Sequence, residues 1–161
     1  MRSLIAIFLL LTVACSSSKK STEGQIVETP PEASAPADSL FMTFERTLCY
    51  GECPAFKVTV YADGRAVYEG KRFVEKLGIY DAELSKADIK AIQDEAQAIG
   101  YFTMEDRYDA SVTDVPSVLI MISGPNGRKS VEDRFNAPDV LHNFEKYLDK
   151  ILMGLDWKYR E

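Results

Sequence analysis

The chain has 161 residues, a formal net charge of −6 at pH 7 and 46% hydrophobic residues, which suits one domain built on one core. No Lys/Arg cluster breaks the acidic balance, so nucleic acid is excluded as the expected partner, because its binding is driven by cationic contacts to phosphate. The same balance gives no electrostatic pull toward an anionic membrane surface.

The chain begins M-R-S-L-I-A-I-F-L-L-L-T-V-A-C, with one cation, Arg2, before an apolar run from Leu4 to Val13. As a helix this run is roughly 15 Å long, about half of a ~30 Å hydrocarbon core. That is the size of a secretory h-region and too short for a membrane span. Small Ala14 stands directly before Cys15. The pattern resembles the bacterial lipoprotein signal peptide, although Thr12 occupies the place where that pattern favours Leu. The resemblance implies a signal peptide over residues 1–14 and acyl chains, palmitate among them, on Cys15. Two or more chains anchor a protein stably. The alternative is an ordinary secretory peptide cut near Ala14.

Residues 15–39 are rich in Ser, Pro, Ala and charge and nearly empty of large apolar residues. Such a segment buries too little surface to offset its ordering entropy and reads as a disordered tether. Residues 40–161 read as a single domain.

Within it, 39–48 alternates Leu40, Met42 and Phe44, and 55–61 alternates Phe56, Val58 and Val60. Both have the period of a half-buried strand. Asp63-Gly64 then predicts a type I′ hairpin turn into strand 65–69, and 71–80 adds a weaker fourth strand. Ser85 is a natural N-cap paired with Asp88, Ile89, Ile92, Ala96 and Ile99 line one helix face, and Gly100 ends that helix. Residues 117–123 are apolar on both faces and predict a central strand covered on each side or nearly so. G-P-N-G turns the chain into the polar strand 128–135. A second helix follows, with Leu141, Phe144, Leu148, Ile151 and Leu152 as its buried stripe and Gly154 at its end. The expected fold is therefore α+β: an antiparallel sheet with two helices packed on one face, in the order strands, helix, strands, helix.

Residues 49–54 read C-Y-G-E-C-P. Outside the cytoplasm such a pair is oxidised by default, and Gly51 suits a tight loop, so Cys49 and Cys53 are expected to form a disulfide. The redox alternative lacks the C-x-x-C spacing and the helix N-terminus that activates a thiolate. A zinc site lacks ligands: two cysteines and a distant His142, read as a solvated helix residue, fall short of four. No metal and no cofactor are expected.

The block C-Y-G-E-C-P-A-F, with its apolar strand, Asp63-Gly64 and Tyr68-x-Gly70, is similar to an uncharacterised family of bacterial lipoproteins marked by C-x-G-x-C-P-x-Y/F. Thr113-Asp114-Val115-Pro116 resembles that family's T-D-x-P stretch, and the likeness spans about residues 40–152. The resemblance implies no activity. It favours treating the cysteine loop and Thr113-Asp114 as one feature.

Tyr108, Asp109, Thr113 and Asp114 form a possible binding loop; the plainer reading gives Thr113 and Asp114 a turn-forming role before Pro116. There is one histidine, no G-x-S-x-G elbow, no phosphate loop and no dinucleotide fingerprint. The expected function is that of a non-catalytic binding module, lipid-anchored in the cell envelope and facing the periplasm or the exterior. Its expected partners are the membrane, through Cys15, and an envelope protein, peptide or glycan. The alternatives are a thiol–disulfide redox protein using Cys49–Cys53 and an inhibitor of a secreted enzyme.

Overall fold

The computed structural model describes residues 39–161 apart from Ser111. The expected signal peptide, Cys15 and the tether up to residue 38 lie outside the described residues. Among the described residues no helix is long and apolar enough to cross a membrane.

Strands β1 (Leu40–Arg46), β2 (Ala55–Tyr61), β3 (Arg65–Arg72) and β4 (Gly78–Glu83) come first, followed by helix α1 (Lys86–Ala98) and a short 3-10 turn at Tyr101–Thr103. Strands β5 (Arg107–Tyr108), β6 (Val118–Gly124) and β7 (Gly127–Asp133), helix α2 (Asp139–Met153) and strand β8 (Lys158–Tyr159) complete the chain. All eight strands join one sheet in the order β5-β7-β6-β1-β2-β3-β4-β8.

This corrects the expected fold class. The sheet is mixed, because β5 runs parallel to β7, pairing Arg107 with Glu132 and Tyr108 with Asp133. Strands dominate the molecule, and the order does not stop at a second helix, since β8 follows α2 and pairs with β4. The physical reason is length. Strands of two residues carry no alternation, so periodicity cannot announce them.

The core lies along one face of the sheet. Register aligns Val131, Ile120, Phe44, Val58, Tyr68, Tyr80 and Tyr159 on neighbouring strands from β7 to β8. Phe44, Val58, Tyr68, Ile120 and Val131 are buried in one cluster with Ile92 and Ala96 of α1 and Leu141, Phe144, Leu148 and Leu152 of α2. The intervening residues, such as Thr43, Glu45, Leu119 and Met121, face the other way and are half-buried. Strand β6 is thus fully buried on one face and partly covered on the other, where half-buried Leu119 and Met121 line an open groove.

Local chemistry sets the boundaries. Ser85 Oγ accepts the Asp88 N–H at 3.1 Å and caps α1. Gly100 takes φ 73° and stops it. Between β2 and β3 only Gly64 has positive φ, 101°, so the loop 62–64 is a three-residue connection and not the expected type I′ turn. The tail folds back: Trp157 is buried, and its Nε1–H donates to the Leu152 carbonyl at 2.9 Å.

Helix α2 crosses the strands. His142 meets Asp133 of β7, Asp149 meets Arg46 of β1, and Leu152 carries Trp157, whose ring lies 5.5 Å from Tyr68 of β3.

Candidate functional site

One end of the sheet gathers the irregular chain. Register aligns Asp133, Val118, Arg46, Phe56, Gly70 and Gly78 as the last row on the helix-facing side. Beyond that row emerge the loops 47–54, 73–77, 109–117 and 134–138. Leu40, where residues 15–39 join the domain, pairs with Tyr61 at the opposite end.

The first loop is closed by the disulfide Cys49–Cys53, with Cα atoms 5.7 Å apart. Inside it the Gly51 N–H donates to Cys49 Sγ at 3.2 Å. Its base is tied to the segment before β6. The Thr47 N–H donates to the Ser117 carbonyl at 3.0 Å, and the Ser117 N–H donates back to Thr47 Oγ1 at 2.8 Å. Ser117 is buried, and its hydroxyl donates to Glu132 at 2.9 Å. The cysteine loop and the 109–117 loop are thereby joined at their roots, while Leu48 (50% exposed) and Tyr50 (90% exposed) project into solvent.

The loop 73–77 curls over Gly70, where a side chain would collide with the Lys76 carbonyl. Phe73 has φ 54°, its ring stands under the Arg72 guanidinium at 4.6 Å, and Leu77 is 58% exposed.

Of the four residues of the possible binding loop, Tyr108 lies in β5, and its carbonyl accepts the N–H groups of Arg134 and Phe135. Asp109 pairs with Arg107 at 2.8 Å and stands 3.8 Å from Arg134. Thr113 and Asp114 are exposed, and Asp114 takes φ 66°. Asp109 is engaged by the two arginines, and none of the contacts just described joins it to Thr113 or Asp114. Among the described residues no group of three or more His, Cys, Asp and Glu side chains has the placement to hold a metal.

A buried polar cluster escapes sequence reasoning. Asp133 and Glu145 are among the few buried charged residues, and His142 Nε2 stands 2.9 Å from Asp133 Oδ2. His142 keeps 42% of its side chain exposed, as a solvated helix residue does, and makes this one contact from its inner edge. Arg46 forks onto Asp149 beside them. Burial pushes the Glu145 carboxyl up to about 8, the neighbouring Asp133 charge and hydrogen bond push the same way, and Arg46 opposes them. The only signal in the sequence is a Glu interrupting the apolar stripe of α2 between Phe144 and Leu148.

The open face carries a groove of about 520 Å³ floored by Leu119 and Met121, with Glu45, Arg128, Ser130 and Glu132 around it. Glu45 is occupied by Lys71, and Glu132 by Ser117 and Arg107.

Residues 40–152 match a protein family described as a domain of unknown function, DUF6438. No curated protein matches the chain.

Proposed function

The chain belongs to the DUF6438 family, a domain of unknown function, and on that premise we propose that it is a lipid-anchored, non-catalytic module of the cell envelope that binds a partner through the loop end of its sheet. The partner is an envelope protein, peptide or glycan. Anchoring rests on the resemblance of residues 1–15 to a lipoprotein signal, with Cys15 as the acylated residue. The proposed placement faces the periplasm or the exterior.

The observation that carries the reading is the exposure of Leu48, Tyr50 and Leu77 on rooted loops. The disulfide and the Thr47–Ser117 pair hold the first of these loops, and Gly70 seats the second. Apolar tips held in a fixed shape lose little freedom on binding, which raises affinity. They lie at the end of the sheet opposite Leu40.

The test is crosslinking in intact cells from a photoreactive phenylalanine analogue placed at position 50 or at position 63. Adducts from position 50 but not from position 63 support the reading. Equal adducts from both, or none from either, overturn it. Acylation is read separately by incorporation of labelled palmitate, expected to vanish in Cys15→Ser.

The Gly51 N–H on Cys49 Sγ favours a second reading, because a donor there stabilises a thiolate. As a thiol–disulfide redox protein the pair would show a reduction potential well above the range below about −300 mV typical of structural disulfides.

A further inference from the structure

Asp133 of β7 serves two residues of α2 at once. His142 Nε2 lies 2.9 Å from one carboxylate oxygen, and the buried Glu145 Oε1 finds no donor among the described residues, while the Asp133 carboxyl acts on Glu145 through charge and hydrogen bonding. His142 and Glu145 are three residues apart and so share one helix face. Two buried carboxyl groups in contact cannot both carry charge cheaply, so one of them keeps a proton and donates it to the other. Asp133 already faces His142, which leaves Glu145 as the donor.

The charged surroundings are few. Strand β1 contributes Arg46, which favours the Glu145 carboxylate but is committed to Asp149 of α2, whose own charge favours the Glu145 proton. Strand β6 contributes Val118, which stands between Arg46 and Asp133 in the row and carries no charge. No contact described for the cluster supplies Glu145 with a cation of its own.

We propose that Asp133, His142 and Glu145 form a protonation-controlled latch that holds the first half of α2 against β7 and loosens as pH rises. Loss of the Glu145 proton to water breaks its hydrogen bond to Asp133 and leaves two facing carboxylates. Both halves of the helix bury apolar side chains, Leu141 and Phe144 in the first and Leu148 and Leu152 in the second, and the second half adds Arg46–Asp149. Opening is therefore a local fraying at the corner where α2 leaves β7, at which Phe135 and Val140 are already exposed, and it works against the burial of Leu141 and Phe144. The latch is independent of the proposed binding role and stands or falls without it.

The sign follows from linkage. Closed, Glu145 holds its proton up to about 8; opened, it returns toward its ordinary 4.5. The opening constant therefore rises by up to about tenfold per pH unit between those two values and is level above the higher one.

Hydrogen exchange of the full chain, corrected for intrinsic rates and followed from acid to alkaline pH, tests this. Protection of amides 141–146 is expected to fall with pH and then level off, while β6 stays constant. In Glu145→Gln, whose amide donates to Asp133 without titrating, protection of 141–146 is expected to be flat. A carbon-detected NMR titration of Glu145 in the unmodified chain gives the same answer should that variant fail to fold. Titration of Glu145 in the ordinary carboxylate range, flat protection in the unmodified chain, or an equal fall in Glu145→Gln would overturn the latch.

Discussion

Thr47 and Ser117 hold each other twice, once through the Thr47 N–H on the Ser117 carbonyl and once through the Ser117 N–H on Thr47 Oγ1. The pair fixes the root of the cysteine loop against the start of β6. Thr47→Val keeps the shape and the first bond but leaves the N–H of buried Ser117 without its acceptor. That is expected to cost about 1–3 kcal/mol, read as a lower denaturant midpoint with unchanged slope. Thr47→Ser restores the hydroxyl and is expected to recover most of the loss; equal destabilisation in both variants contradicts the bond's role.

Replacing both cysteines by serine opens a five-residue loop. The chain-entropy estimate for so short a loop is about 2 kcal/mol. The variant is expected to fold, with a lower melting temperature and faster proteolysis confined to 47–54. A loss confined to that loop means the disulfide shapes a surface; global unfolding means it is required for the core.

Gly70 tolerates no side chain because the chain at Lys76 passes directly over it. Its backbone dihedral is ordinary for any residue, so the cost of Gly70→Ala lies in displacement of the 73–77 loop. We expect destabilisation in the upper part of the usual ~0.5–3 kcal/mol range, with NMR shift changes centred on Phe73 to Leu77. An alanine variant of unchanged stability contradicts the close approach.

Global stability carries the Glu145 signature as well. The folded state keeps its proton to higher pH than the unfolded chain, so this group's contribution is fully present below pH 4.5 and is lost as pH rises toward about 8. Glu145→Gln is therefore expected to be more stable than the unmodified protein at pH 8, by equilibrium denaturation, and to have a flatter profile. Arg46→Met removes the one cation that opposes the shift and is expected to move the Glu145 titration higher still. A downward movement would mean that Arg46 acts through position and not through charge.

What the sequence discloses divides along local and distant chemistry. The Ser85 cap, the stop at Gly100 and the Cys49–Cys53 disulfide depend on neighbours in the chain, and each is visible in the text. The parallel pairing of β5 with β7 is not, because two residues have no period and the pairing energy comes from a strand formed later. The family resemblance pairs the cysteine loop with Thr113-Asp114, whereas the bonds in the structure join Thr47 to Ser117, residues 70 positions apart that no local pattern links. Asp133 and His142 were not legible at all, and Glu145 only as an acid set in the apolar stripe of α2. Each looks like an ordinary surface residue until the register of β7 and the crossing of α2 bring them together.

Trp157, the single tryptophan, lies against Tyr68 and donates to Leu152, far along α2 from His142. Its fluorescence consequently samples the β3–β4 flank and the C-terminal seam. An emission-monitored melt will record loss of that seam and stay dark to events at the β7 corner. A second fluorophore near Phe135 would give the molecule two independent optical channels, one for each end of its long helix.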